Sequence, residues 1–184
     1  GTGAERLIHP GFDRLVRSLS EHAQWLVDEL DVDVLIAPHV PADVVLASAI
    51  VRRLSTGASK RRYRRRPFRL LGLPHPRNAR SYFGVTAAAR HLVGMRGHAV
   101  ICSIGLERPT VALSTHPKVE GTMVACGLAD AVVRPDRDLV DHLKAATRRV
   151  ERDQSTVRQV AERLGTERAA RLDAVLCQSL DVAR

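Results

Sequence analysis

The chain has 184 residues, 45% of them apolar, enough for a packed core without disulfide or metal staples. Aromatics make up only 3%, which argues against a stacking platform for single-stranded nucleic acid and leaves the core to Val, Leu, Ile and Ala. The net charge of +9 is mostly local: taking away the six cations of Lys60-Arg61-Arg62-Tyr63-Arg64-Arg65-Arg66 leaves +3, so the basicity belongs to one stretch and not to the fold.

In chain order, Gly1-Thr2-Gly3-Ala4 reads as a linker or scar, with residues 1–10 outside the fold. Gly11 to Leu30 is a predicted helix, its apolar residues Phe12, Leu15, Val16, Leu19, Ala23, Leu26 and Leu30 recurring at three- and four-residue steps. Trp25 sits at the edge of that stripe. Val32 to Ala37 is a short β-branched strand ending in Pro38-His39. Pro41-Ala42-Asp43 opens a helix to about Leu54, since Pro is favoured where a helix N–H has no partner anyway; Val45, Leu46, Ala49, Ile50 and Leu54 are expected inward. Ser55 to Pro67 is the basic loop, either simply solvated or a docking segment for anionic lipid or an acidic glycan; no specific nucleic-acid partner is expected.

Phe68 to Leu71 is a second strand. Pro74, Pro76 and Asn78 make a turn into a helix from about Ala79 to Arg90. His91 to Met95 is a third strand, followed by a helix from Ala99 to Leu106 and a turn with Pro109. Thr110 to Ser114 is a fourth strand, leading through His116-Pro117-Lys118 into a helix stopped by Gly127. Ala131 to Val133 is a fifth strand. From Asp136, a candidate cap, the pattern is helical, with one stripe at Val157, Val160, Ala161 and Leu164, a break at Gly165-Thr166, and a last stripe at Leu172, Val175, Leu176 and Leu180. Strands alternating with helices predict an α/β fold with one doubly wound parallel sheet of about five strands over residues 11–135, and a helical extension over 136–184.

Cys102, Cys126 and Cys177 are far apart, follow no metal spacing and suit a reducing compartment; the first two read as small core residues. No signal peptide and no apolar run of membrane-spanning length is seen, so a cytoplasmic location is expected, with membrane association through the basic run left open. There is no G-x-G-x-x-G, no P-loop and no G-x-S-x-G elbow. No cofactor and no metal site is expected: His39, His98 and His116 could in principle bind a metal, but no carboxylate stands at matching spacing.

The chemistry gathers where strands end. Arg96 and His98 flank Gly97 at a strand-to-helix turn, and Ser114, His116 and Lys118 follow the next strand. In open α/β sheets ligands sit outside the carboxyl ends of the strands, and helix N-termini there favour anions. A small, highly charged anion with a histidine beside it is the ligand these residues suggest. Each has an ordinary alternative: a surface ion pair for Arg96, a cap or core role for His98, a solvated first-turn lysine for Lys118, a loop histidine for His39 and His116. His9, His22, His75, His91 and His142 read as structural or exposed.

The stretch from Leu92 to Leu128 resembles the polysaccharide pyruvyl transferase family. The residues carrying the likeness are Val93-Gly94-Met95-Arg96-Gly97-His98-Ala99, Pro109-Thr110-Val111-Ala112-Leu113, Pro117-Lys118 and Gly127-Leu128. Upstream, Ala37-Pro38-His39 with Asp43 looks like the family's strand ending in P-H. Gly97 stands where Leu is more usual, and His116 where an acidic or polar residue is commoner. The resemblance implies a Rossmann-like donor-binding half of a GT-B-like fold, either an excised piece or a shortened homologue of a two-domain enzyme. It implies phosphoenolpyruvate as donor and a sugar or polysaccharide as acceptor. His98, and less so His39, would be the general acid. Arg96, Gly97, Ser114, His116 and Lys118 would bind phosphoenolpyruvate. Two other classes stay open: a nucleotide-sugar-binding half of another GT-B enzyme, and a non-catalytic binding module that docks through its basic loop.

Overall fold

The computed structural model describes residues 10–56, 68–72 and 79–181, with backbone alone at 10, 79, 81 and 168–181. The proposed N-terminal linker, the basic run 60–66, the turn at 74–78, His9, His75, and the side chains of Cys177 and of the last stripe lie outside the described residues. The chain divides into two compact units, Gly1–Tyr82 with Pro135–Ala145, and Phe83–Arg134 with Ala146–Arg184.

In the first unit, α1 (Pro10–Leu30) lays Val16, Ala23, Leu26 and Val27 inward at helical spacing. β1 (Val34–Ile36) pairs in parallel with β2 (Phe68–Leu70), Val34 opposite Phe68 and Ile36 opposite Leu70. Between them α2 (Pro41–Thr56) buries Ala47, Ile50 and Leu54. Val16, Ala23, Ile50 and Leu54 form one core, with Val34, Ile36 and Phe68 packed on it. Fully burying an aliphatic side chain of this size is worth about 1.5–3 kcal/mol. Val45, expected inward, is 65% exposed. The run from Val44 to Val51 is apolar over most of its circumference, and the helix turns its Ala47, Ile50, Leu54 stripe to the core instead. Asp43 fixes the entry to α2: its Oδ2 accepts the N–H groups of His39 at 3.1 Å and Val40 at 3.2 Å.

The second unit is built on β3 (Leu92–Gly94), β4 (Thr110–Leu113) and β5 (Val132–Val133), in that spatial order and all parallel. All five expected strands are therefore present, each parallel to its neighbours within its own sheet, but they hydrogen-bond as a pair and a triplet, not as one ladder. Strands of two to four residues offer few bonds to extend a ladder. β4 is buried along its whole length, paired on both edges and packed by α4 (Gly97–Gly105) and α5 (Pro117–Ala125). Its one polar side chain is satisfied: Thr110 Oγ1 lies 2.7 Å from the Arg108 carbonyl, to which it donates, and 2.8 Å from Ser103 Oγ. Gly127, with φ of +76°, ends α5 as expected, and the Leu128 N–H closes the turn on the Met123 carbonyl at 2.8 Å. Arg163 Nη2 donates to the Cys126 carbonyl there at 3.0 Å. Cys126 is buried as read, whereas Cys102 is only half-buried.

α3 (Ala79–Ala88) and α6 (Leu139–Arg152) each have residues in both units. The expected cap at Asp136 lies three residues before α6; its carboxylate meets the Asp138 N–H and His142 Nδ1, each at 3.0 Å. The break expected at Gly165-Thr166 is instead at Asp153, and α7 (Gln154–Asp181) runs straight through Gly165. Asp153 is the better stop and restart because its carboxylate accepts from the hydroxyls of Thr156 and Ser155, which hold it below the usual carboxylate range.

At the amino end of β3, His91 Nδ1 donates to Glu151 Oε1 at 2.7 Å, and Arg90 Nε donates to the other oxygen at 2.7 Å. Burial lowers the His91 pKa, outweighing the attraction of Glu151. The unfolded chain therefore takes up this proton near pH ~6.5 while the folded chain resists it. Stability from His91 is full above that pH and falls on acidification. Melting curves from about pH 7.5 to about pH 5 should show this loss, and His91→Asn should flatten it. An unchanged slope in the variant would remove His91 as the cause.

Candidate functional site at the strand ends of the second unit

β3 stops at Gly94. The chain bends at Met95 and Arg96, the latter extended with φ −115° and ψ 136°, and α4 begins at Gly97 with no side-chain cap. β4 stops at Leu113, and His116 caps α5: its Nδ1 accepts the Lys118 N–H at 3.1 Å. The Val119 N–H goes to the His116 carbonyl at 2.9 Å. These bonds close the start of α5 on its own residues. The start of α4 has no such side-chain cap.

The register brings the loops together. Gly94 is level with Ala112 and Leu113 with Val133, so Arg96, Ser114 and Arg134 fall in one row across the three strand ends. Neighbouring strands are about 4.8 Å apart. The Ser114 N–H donates to the Val133 carbonyl at 2.7 Å, continuing the ladder. Thr115 Oγ1 donates to the Met95 carbonyl at 3.3 Å, stitching the loop after β4 to the loop before Arg96. Arg96, His98, His116 and Lys118 are exposed, Gly97 and Ser114 half-buried. Lys118 Nζ forms no ion pair among the described residues.

Two members escaped the sequence reading. Arg134 stands directly after β5, and its guanidinium grips both oxygens of Glu120, in the first turn of α5. Ser114 Oγ also donates to Glu120, at 3.3 Å. The Arg134 hydrogen bonds hold the Glu120 carboxyl below its usual range. The signal was available, because Arg134 repeats at a third strand end the pattern of a cation after an apolar strand.

His39 lies in the first unit, at the carboxyl end of β1. Its ring meets the Tyr82 ring edge-on, centroids 5.1 Å apart. Tyr82 is buried, its hydroxyl donates to the Pro38 carbonyl at 3.4 Å, and burial with the charge of Asp43 pushes its pKa to about 12. It stays protonated at any working pH and cannot serve as a base. Burial also raises the thiols of Cys102 and Cys126, so neither is an activated nucleophile. Among the described residues no group of three or more His, Cys, Asp or Glu is placed to hold a metal ion. No helix among them is long and apolar enough to cross a membrane.

Comparisons with curated proteins and with solved structures found no match. The family model for polysaccharide pyruvyl transferase matches residues 4–117. That span holds His39, both strand ends with Arg96, His98, Ser114 and His116, and stops one residue before Lys118. It covers more than half of the sequence, and the chain belongs to the polysaccharide pyruvyl transferase family.

Proposed function

We propose that the second unit binds phosphoenolpyruvate and serves its transfer, as a pyruvate ketal, to a pair of hydroxyls on a cell-surface polysaccharide or its sugar precursor. The observation that supports this best is the row of strand ends, where Arg96, His98 and Lys118 are delivered by adjacent, stitched loops beside an uncapped helix start. The Arg96 guanidinium offers a two-pronged grip for the carboxylate. Lys118 and the first N–H groups of α4 neutralise the phosphate. His98 donates a proton to the methylene carbon, which becomes the methyl group, and C2 becomes electrophilic. One sugar hydroxyl adds to C2, the C2–O bond to phosphate breaks, and the second hydroxyl adds. Of the two hydroxyl protons, one restores His98 and the other leaves with phosphate. Histidine suits this exchange near neutral pH. Gly97 and Ser114 shape the floor between the loops, and His116 acts chiefly by holding Lys118 in place. The enzyme is read as cytoplasmic, with the basic run 60–66 meeting an anionic membrane surface.

Calorimetric titration of the purified chain tests the donor reading. Phosphoenolpyruvate should bind selectively over uridine diphosphate and inorganic phosphate. Binding of the nucleotide without phosphoenolpyruvate would replace this reading by a nucleotide-sugar enzyme.

A further inference from the structure

A second anion-attracting surface lies in the first unit, on the groove between α1 and α2. The groove encloses about 420 Å³, within the range of small-ligand sites. Its floor is apolar, made of Phe12, Val16 and Ala49, which also pack on the core beneath. Its rim carries three guanidiniums, Arg17 from α1 and Arg52 and Arg53 from α2. All three arginines are exposed, and none is paired with a carboxylate among the described residues. Asp13 is the one acidic group in the lining, and it leaves the rim with an excess of two positive charges. The Thr56 hydroxyl is turned back onto the Arg52 and Arg53 carbonyls, at 3.0 and 3.1 Å.

We propose that this groove seats an anionic phospholipid of a bilayer surface, its phosphate among Arg17, Arg52 and Arg53 and the root of its acyl chains against Phe12, Val16 and Ala49. The floor decides between anions. A bare phosphate gains nothing from three apolar side chains, and a nucleic acid strand needs successive aromatic platforms where the lining has Phe12 alone. An amphiphile with an anionic head uses both surfaces. In the sequence, the run of six cations from Lys60 to Arg66 begins four residues after the end of α2 and adds to the positive charge of this part of the chain. The groove deepens the membrane reading of that run and is independent of the donor site.

The test uses the full chain and monomeric dihexanoyl-phosphatidylglycerol, followed by calorimetry, beside sedimentation with phosphatidylcholine vesicles with and without phosphatidylglycerol. Saturable binding of the short lipid is expected. R17Q/R52Q/R53Q should weaken it about fivefold per arginine, roughly a hundredfold in all, with R17K/R52K/R53K retaining most of it. Gln at Arg64, Arg65 and Arg66 should lower vesicle sedimentation and leave the short lipid's affinity unchanged. That contrast separates a failed groove from a failed basic run, and phosphoenolpyruvate titration of the same variants keeps the donor site apart from both. The proposal is overturned if the short lipid does not saturate, if the Gln triple binds it like the parent, if glycerol phosphate binds as tightly, or if a single-stranded oligonucleotide displaces it.

Discussion

Arg96→Ala should lower phosphoenolpyruvate affinity about a hundredfold, because it removes two charge-assisted hydrogen bonds, each worth about 1.5–3 kcal/mol before the remaining groups readjust. Of the two guanidiniums at the strand ends, Arg134 is already engaged by the Glu120 carboxylate, which leaves Arg96 to grip a ligand carboxylate in its own plane. Arg96→Lys keeps the charge and loses the fork, so it should fall between the parent and the Ala variant. Lys118→Ala should cost less, about tenfold, since a compact ammonium in an exposed first turn is well screened by water. Calorimetry on the three variants gives the ranking. Parent-like affinity in Arg96→Ala would remove the strand-end row as the donor site, even if the chain still bound phosphoenolpyruvate elsewhere.

Gly94→Ala should destabilise the chain by about 1–3 kcal/mol, the cost of overpacking a filled interior. A Cβ at Gly94 would stand 2.9 Å from Leu92 Cδ2 and 2.9 Å from Val100 Cγ2. Leu92 is half-buried and can swing away. Val100 is fully buried and β-branched, so it has no other rotamer to take without moving α4. The melting temperature should fall by about 2–4 °C for each kcal/mol lost. Gly97→Ala is the matched control, since no atom lies within 4 Å of its Cβ position. It should be neutral or slightly stabilising, through the entropy a glycine loses on folding. A melting temperature equal to the parent's in Gly94→Ala would mean that α4 does not rest on β3 this closely. At Gly97, where the family more usually has Leu, a Cβ meets open space.

Much of the strand-end site was legible because it depends on chain order. An apolar strand that stops at a glycine and hands over Arg-x-His must place those residues at a sheet edge, whatever packs around them. The Gly127 stop was legible for a similar local reason, since the closing turn needs a left-handed residue. Rotation of a helix about its axis was harder. In α1 the stripe is narrow, and Val16, Ala23 and Leu26 went inside as read. In α2 nearly every side is apolar, so Val45 and Ala47 were exchangeable until the neighbours were known. Asp153 was missed as a cap because Gly165 is the louder signal, although a glycine in a helix costs only about 1 kcal/mol. Buried histidines were invisible for a different reason. His22 stacks on Trp25 and His91 binds Glu151, partners three and sixty residues away in sequence. Arg134 was overlooked because β5 is two residues long and hardly reads as a strand.

On the donor reading proposed above, the Thr115 hydroxyl on the Met95 carbonyl has a consequence for how an anion is held. It fixes the spacing between the loop that carries Arg96 and the loop that carries Lys118, before any ligand arrives. The two cations therefore behave as the arms of a chelate. Once one charged end of a ligand is seated, the other end meets its partner at high local concentration instead of finding it anew. A ligand with a single charged group can use one arm only, and so misses most of the affinity. Discrimination between a molecule with two anionic ends and free phosphate is then a matter of span, set by a neutral side chain that touches neither end.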